Sequence, residues 1–193
     1  ALELLVSLFC MKRSQSVPGQ SLRFLHGGGE MGERIRAYDW ASTELGPPQT
    51  WPGPLRTMLS MLLGTRHPVF VFWGPLHRCF YNDAYSRSLG SERHPDILGG
   101  VGREVWSEIW ATIGPQIEQV MSGGGATWHE NQLVPITRHG TLQDVYWTYS
   151  YTPIDDESAP TGVGGVLVLV TETTAAVLAQ QRLEAADARW RML

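Results

Sequence analysis

The chain has 193 residues, 42% of them hydrophobic, which is enough for one domain with extensions and a substantial core. Its formal net charge of −4, without a cluster of Lys and Arg, argues against nucleic-acid binding. No apolar stretch approaches the roughly 20 residues of a membrane span. The two cysteines, Cys10 and Cys79, match neither a disulfide framework nor a metal-site spacing, so a reducing, cytoplasmic location is predicted.

Residues 1–30 are predicted to be a flexible or artefactual tail. The apolar stretch Leu2–Phe9 precedes two basic residues, which is the wrong order for a secretory signal. It is interpreted either as a short amphipathic helix or, preferably, as an artefact of the gene start, since Met11 and Met31 are both plausible start positions. Residues 14–30 are polar and end in three glycines, which is typical of a linker.

A helical extension is predicted over residues 31–66. A short helical turn covers Met31 to Ala37, and turn-forming residues follow it. A second helix is expected from Trp51 to about Leu63, because four apolar residues recur at helical spacing. They are Leu55, Met58, Leu59 and Leu62.

The main domain is predicted over residues 67–172 and begins with a hairpin. The runs Val69–Trp73 and Arg78–Tyr81 are rich in β-forming residues and are separated by a Gly-Pro turn. Asn82, with the aspartate after it, is expected to cap a short helix over Ala84–Leu89.

A longer helix is predicted from Val105 to Val120. Pro115 lies inside it and predicts a kink or a break after Gly114. One apolar face is expected to hold the helix on the sheet. It comprises Trp106, Ile109, Trp110, Ile113 and Ile117.

Three further strands are predicted, over Thr127–Ile136, Gln143–Pro153 and Gly162–Val170. The first two are joined by a hairpin-type loop at Arg138–Gly140, and the last two by an acidic turn. The order of elements predicts an α+β fold, with a five-stranded antiparallel sheet and helices packed on one face.

The last strand leads into a helix predicted over residues 173–193. Its small and apolar residues recur at spacings of three and four, which is typical of a dimerising coiled coil. The stripe comprises Ala176, Ala179, Leu183, Ala186, Trp190 and Leu193. Because the stripe runs to the last residue, we interpret the helix as a truncated connector to a further domain, with Leu183, Ala186 and Trp190 as candidate dimerisation residues.

Several motifs in this order resemble a PAS domain. They are Tyr81-Asn-Asp-Ala-Tyr85, Gly102-Arg-Glu-Val-Trp106, Ser150-Tyr-Thr-Pro-Ile-Asp155, and Glu172-Thr173-Thr174 in place of an Asp-Ile-Thr signature. The segment before them, with Arg36–Trp40 and Leu45–Pro52, resembles the N-terminal region of bacterial multidomain sensor kinases. The resemblance covers roughly residues 31–190.

The PAS resemblance implies a ligand cavity between the sheet and the long helix. The candidate lining residues are Asn82, Tyr85, Trp106, Trp110, His129, Trp147 and Tyr149. Such aromatic side chains combine apolar area with one polar tip, as small-molecule pockets require. The alternatives are that the aromatic residues only fill the core, and that Asn82 is a helix cap.

The resemblance also implies signal relay at Glu172, Thr173 and Thr174. Thr174 is the expected N-cap of the terminal helix, with its hydroxyl accepting a first-turn N–H. Glu172 is expected to favour the positive end of the helix or to pair with a basic group.

The sequence argues against haem, flavin and metal cofactors. Residues 103–122 contain no His to serve as an axial haem ligand. Cys79 lies in an Arg-Cys-Phe strand rather than in the Asn-Cys-Arg run of photoactive flavin PAS domains. The histidines show no metal-ligand spacing.

We therefore interpret the chain as a sensory module that passes a small-molecule or protein signal to an output domain, as a homodimer that does not bind nucleic acid and has no membrane span of its own. A histidine kinase is the first candidate for the parent, and a diguanylate cyclase or a further PAS or GAF module is the next. The alternative with the same fold is a ligand-free dimerisation or spacer domain. A small enzyme using His129 or Asp155–Glu157 is the alternative from another class, although no nucleophile elbow or phosphate loop is present.

Overall fold

The computed structural model describes residues 22–191, so Leu2–Phe9, Cys10 and Leu193 lie outside the described part. The helices of the described part are α1 (Gly29–Ala37), α2 (Gly53–Gly64), α3 (Asp83–Ser86), α4 (Gly102–Val105), α5 (Trp110–Met121) and α6 (Thr174–Trp190). Its strands are β1 (Val69–Trp73), β2 (Arg78–Tyr81), β3 (Thr127–Leu133), β4 (Ile136–Arg138), β5 (Thr141–Gln143), β6 (Tyr146–Asp155) and β7 (Val163–Glu172). Single 3₁₀ turns occur at Leu22–Leu25, Trp40–Ser42 and Pro48–Thr50.

Five strands form one antiparallel sheet in the order β2-β1-β7-β6-β3. The C-terminal strand β7 therefore lies at the centre, between the first hairpin and the β6–β3 pair. Helix α5 packs on one side, against β6 and β7, and this side is called the inner face. The predicted α+β fold with a five-stranded antiparallel sheet is confirmed.

The N-terminal extension covers part of the opposite, outer face of the sheet. Phe80 pairs with Val71 in the β1–β2 ladder, so it points away from the inner-face residue Phe70. Trp40 stacks on Phe80 with ring centroids 4.8 Å apart, and Trp51 meets it edge-on at 5.7 Å. Both faces of β1 are thus covered, which explains why all five of its residues are buried and why its sequence is an unbroken apolar run.

The described part of the predicted tail belongs to the folded unit, so the linker prediction was wrong for residues 22–30. Phe24 and Leu25 are buried in the main core, and the glycines shape the entry to α1. Gly28 has φ 77°, and a Cβ there would come within 2.4 Å of Leu63 Cδ2. The glycines are therefore needed for close packing rather than for a flexible linker.

The long helix is interrupted earlier than predicted. Residues 106–109 form a turn between α4 and α5, whereas Pro115 lies inside the continuous helix α5. The predicted break after Gly114 was therefore wrong. Trp106 belongs to the turn and not to the same helix as Trp110, which changes the direction of its side chain.

The strand predicted over Thr127–Ile136 is in fact two strands in different sheets. The main-sheet strand β3 ends at Leu133, and after Val134 and Pro135 the chain forms the separate β4–β5 hairpin. Proline lacks the N–H that a continuous ladder would need at that position. The turn of the new hairpin has positive φ at His139 (52°) and Gly140 (73°), as a two-residue type I′ turn requires.

Between residues 22 and 191, none of the helices combines the length and the apolar character that a bilayer span requires.

Candidate functional site

A largely apolar cavity of about 70 Å³ lies between the inner face of the sheet and α5. Its walls come from the sheet, from α3 and the residues after it, from the turn that precedes α5 and from the β4–β5 hairpin. The lining residues are Phe70, Phe72, Tyr85, Ser88, Leu89, Trp106, Ile109, Ile113, Val134, Ile136, Trp147, Tyr149, Tyr151, Val168 and Val170.

The sheet presents these residues because successive side chains of a strand point to opposite faces. Tyr149 pairs with Val170 and Tyr151 pairs with Val168, and Val168 in turn pairs with Phe70. The three central strands thus place aromatic and β-branched side chains side by side on the inner face. Alternate residues of β6 form the polar, partly exposed outer face.

The opposite wall depends on Trp106, which is 4% exposed. The Arg93 guanidinium lies 4.8 Å from the centre of the Trp106 ring. Arg93 is held by an ion pair with Glu108 and by a 2.9 Å hydrogen bond from its Nη1 to the carbonyl of Val105. A charged and hydrogen-bonded support therefore fixes the indole that forms part of this wall.

The hairpin that carries Ile136 is tied to the domain on both sides. The Thr137 backbone N–H and hydroxyl donate to the Glu108 carboxylate at 3.2 and 3.0 Å. Arg138 donates through Nη2 to Glu172 Oε2 at 3.0 Å, and its guanidinium lies 5.3 Å from the Trp147 ring centre. The cavity wall, the hairpin and the end of β7 are therefore in one contact network.

Few polar groups belong to the cavity walls, and most lack partners. Tyr149 Oη accepts a 3.3 Å hydrogen bond from Gln116 Nε2. By contrast, residues 22–191 provide no hydrogen-bond partner for the buried Trp106 Nε1 or for the hydroxyls of Tyr85 and Tyr151. Burial raises the pKa of both of these tyrosines well above its ordinary value, so they are neutral at physiological pH.

Four of the seven predicted lining residues surround the cavity, namely Tyr85, Trp106, Trp147 and Tyr149. The other three, Asn82, Trp110 and His129, lie outside its lining, and their predicted placement in the cavity was wrong.

Asn82 is a structural residue that ties three segments together. Its Oδ1 accepts from the backbone N–H groups of Val69 (3.2 Å) and Tyr85 (3.0 Å), so it caps α3 as the alternative interpretation predicted. Its Nδ2 donates to the carbonyls of Leu62, Thr65 and His67. All its polar capacity is used, which leaves none for a ligand.

Trp110 and His129 are placed elsewhere by their local structure. Trp110 starts α5 and turns towards His77, with ring centroids 5.6 Å apart, while the Arg103 guanidinium lies 6.0 Å from its ring. His129 is on the inner face at the open end of the sheet, where it stacks on Tyr149 at 4.9 Å. The helical spacing in the sequence predicted Trp106 and Trp110 on one face of a single helix. In the structure, the turn at residues 106–109 interrupts that helix and separates the directions of the two side chains.

Several cavity residues were missed at the sequence level, chiefly Phe70, Phe72, Tyr151 and Val168. Tyr151 follows Trp147 and Tyr149 at two-residue spacing on the same strand, so alternation along β6 places it on the same face and this residue was predictable. The wholly apolar strand β1 has no alternation, and its inner face is defined only by its partners in the sheet.

The junction between β7 and α6 differs in detail from the prediction. The predicted pairing of Glu172 with a basic group is confirmed, and the partner is Arg138. The Thr174 hydroxyl does not cap the helix; it accepts the N–H of Tyr146 at 3.0 Å. The Thr173 N–H donates to the carbonyl of Tyr146 at 2.8 Å, so the start of α6 is fastened to β6.

Helix α6 extends away from the domain with its predicted stripe uncovered. Leu183 is 68% exposed and Trp190 is 77% exposed, and Ala186 is partly buried. No residue of α6 is buried. Such exposure in a single chain agrees with the predicted dimerisation role but does not test it.

The cavity and its surroundings do not match the cofactors considered. At about 70 Å³ the cavity is well below the roughly 300–1,000 Å³ typical of drug-sized ligand pockets, so haem or flavin would require extensive rearrangement. Cys79 is fully buried on β2, outside the cavity lining, and burial raises the pKa of its thiol. Within residues 22–191, no group of three or more His, Cys, Asp or Glu residues is arranged to hold a metal ion.

No protein-family model and no curated protein matches this chain. Solved structures with similar folds include an RNA-binding light-oxygen-voltage receptor, with 16% sequence identity and a TM-score of 0.48. The match covers 78% of this chain but only 42% of that receptor. The PAS domain of BvgS from Bordetella pertussis has 17% sequence identity and a TM-score of 0.38. That match covers 97% of the BvgS domain and 69% of this chain. A sensory box sensor histidine kinase from Vibrio cholerae has 15% sequence identity and a TM-score of 0.40. That match covers 88% of the Vibrio structure and 61% of this chain. Similarities of this size add no evidence about function.

Proposed function

We propose that this chain is a sensory PAS module that relays the state of its cavity, through α6, to an output domain in the same parent protein. The observation that carries the proposal is the course of β7. Val168 and Val170 line the cavity, and only four residues after Val170 the chain enters the exposed helix α6. A displacement of the cavity wall therefore acts directly on the root of the helix.

A second route supports the same direction of relay. Trp147 lines the cavity and lies under the Arg138 guanidinium, which is paired with Glu172 immediately before α6. A ligand that shifts the indole changes the position of Arg138 and thus the last residues of β7. Because the contacts are short and packed, a small shift is passed on rather than absorbed.

The most suitable output is a domain that responds to helix geometry in a dimer. A histidine kinase meets this requirement first and a diguanylate cyclase second, with α6 forming a parallel coiled coil through Leu183, Ala186 and Trp190. In this proposal the module is not itself an enzyme, and it acts as a cytoplasmic homodimer.

The enzyme alternative has weak support from the described residues. His129 stacks on Tyr149, and the Asp156 carboxylate accepts from the N–H (3.0 Å) and hydroxyl (2.6 Å) of Ser158, which makes it a turn residue. His129 pairs with Tyr149 across the sheet, and Asp155 lies six residues beyond Tyr149 on β6. At 3.3 Å per residue, this distance along the strand is about 20 Å. His129 and the acidic turn that begins at Asp155 therefore do not form one site.

The spacer alternative is favoured by one observation, the small volume of the cavity. A domain whose core is merely incompletely filled would have the same aromatic lining and the same junction. Native mass spectrometry of freshly purified protein distinguishes the sensor from the spacer when a ligand is tightly held. The mass of the native protein is compared with that of the denatured chain. Retained small-molecule mass supports the sensor.

The relay itself is tested with Glu172→Ala in the full-length parent. The variant is expected to uncouple output from stimulus while lowering the free energy of unfolding by less than about 1 kcal/mol, because Glu172 is partly exposed. Glu130→Ala, at an exposed position on β3, is the matched control and should respond normally. Wild-type output amplitude in Glu172→Ala would show that this residue is not part of the relay.

A further inference from the structure

We propose that the cavity takes a small neutral molecule of about four non-hydrogen atoms, mostly apolar and carrying one hydrogen-bond acceptor. The inference rests on the proposed sensory function, because it specifies the ligand class of the cavity from which the relay starts. Size, charge and unpaired donors each limit the ligand independently.

The size limit comes from the volume of about 70 Å³. One molecule of liquid water takes a share of about 30 Å³, and a dry cavity of about 150 Å³ holds benzene. The cavity therefore accommodates more than a single water and less than an aromatic ring. A branched molecule of about four heavy atoms fits without moving the walls.

Cationic ligands are disfavoured, although aromatic walls often bind them. The faces of two wall indoles are already engaged by cations. Arg93 lies 4.8 Å from the ring centre of Trp106, and Arg138 lies 5.3 Å from that of Trp147. A cationic ligand would therefore find these indole faces occupied, and no carboxylate lines the cavity to pair with it.

Anionic ligands are disfavoured because the two arginines are neutralised. Arg93 is paired with Glu108 and Arg138 with Glu172, and none of these four residues lines the cavity. An anion would leave water for an apolar space that contains no charged partner, which is costly. The raised pKa values of the wall tyrosines have the same cause, since burial there penalises negative charge.

The acceptor is required by unpaired donors in the walls. Trp106 is 4% exposed, and its Nε1–H has no partner within residues 22–191. The hydroxyls of Tyr85 and Tyr151 have none there either, and Tyr85 contributes to the electrostatic environment of Tyr151, so the two side chains are near neighbours. Buried donors are normally satisfied, and a ligand oxygen would satisfy them here.

Three molecules of nearly the same shape separate these properties: acetone, isobutene and acetate. Each is titrated into the full chain, and saturable changes in the ¹H–¹⁵N NMR spectrum, including the tryptophan indole resonances, are measured. Acetone and isobutene are expected to bind saturably, in the millimolar range because such small ligands make few contacts. Acetate is expected to produce no saturable shift.

The acceptor is tested with variants that remove single hydroxyl groups. Tyr151→Phe or Tyr85→Phe should lower the ratio of acetone to isobutene affinity about threefold to tenfold, which corresponds to one net hydrogen bond. The ratio cancels differences in hydrophobicity between the two molecules. Tyr146→Phe is the control, because it removes a tyrosine hydroxyl on the same strand from a residue outside the cavity lining, so the ratio should stay constant.

The proposed ligand class is overturned if acetate saturates as acetone does, if neither neutral molecule saturates, or if the ratio is unchanged in both Tyr151→Phe and Tyr85→Phe. These outcomes differ from a failure of the sensory function. The relay is judged by the output of the Glu172→Ala parent, which does not depend on which molecule fills the cavity.

Discussion

Replacing Asn82 by alanine should be among the most damaging single changes in this domain. The side chain is 2% exposed and satisfies the N–H groups of Val69 and Tyr85 together with three backbone carbonyls. An unsatisfied buried N–H costs about 1–3 kcal/mol, and loss of an N-cap costs about 1 kcal/mol. The expected loss is therefore about 3 kcal/mol, a large part of the roughly 5–15 kcal/mol of a typical domain.

The assay is equilibrium urea unfolding followed by tryptophan fluorescence. With a slope of about 2 kcal/mol per molar urea, the midpoint of Asn82→Ala should fall by about 1.5 M. Asn131→Gly is the matched control, since it removes an exposed amide at φ 50°, a conformation that glycine adopts easily, and should change little. A loss below about 1 kcal/mol for Asn82→Ala would refute the structural role and reopen a role in ligand binding.

Three further outcomes are expected. Trp106→Ala should lower the free energy of unfolding by about 3–5 kcal/mol, because the side chain is buried. Trp110 is partly exposed, so the loss in Trp110→Ala should be smaller by at least about 1 kcal/mol. Equal urea midpoints for the two variants would contradict the assigned packing. Leu183→Glu should shift sedimentation towards monomer, whereas Gln181→Glu on the other side of α6 should not; identical behaviour would place the dimer interface elsewhere. A hydrogen bond from Arg78 lowers the pKa of the Glu44 carboxyl. The ionised carboxylate therefore stabilises the fold at pH values above the pKa that Glu44 has in the unfolded chain. This stabilisation is lost as the pH falls through the lower pKa of the folded state. Glu44→Gln should therefore flatten the acid limb of the stability curve, and an unchanged limb would show that the pair contributes nothing.

The elements with strong local signals were predictable from the residues alone. The bounds of β1 and β2 coincide with the predicted ones, because each run of β-forming residues ends at a turn-forming pair. The order of strands and helices was sufficient for the antiparallel sheet. Trp147 and Tyr149, taken as lining residues from the family resemblance, lie on the cavity side of β6, and the alternation along that strand agrees with this placement.

Local signals failed where contacts distant in the chain determine the conformation. Trp106 and Trp110 have the same helical spacing in the sequence, but a turn supported by the Arg93–Glu108 pair separates their directions. The Thr174 hydroxyl is bonded 28 residues away, at Tyr146, rather than within its own helix.

The sequence by itself determined the α+β class, the order of elements along the chain and the periodic stripe of the terminal helix, because periodicity and turn residues are properties of neighbouring positions. The tertiary structure alone decided which aromatic residues enclose the cavity, how small it is, and that Arg138 links its wall to Glu172 across 34 residues. Cavity volume and ion pairing depend on how separate elements pack against one another, and no short stretch of sequence carries that information.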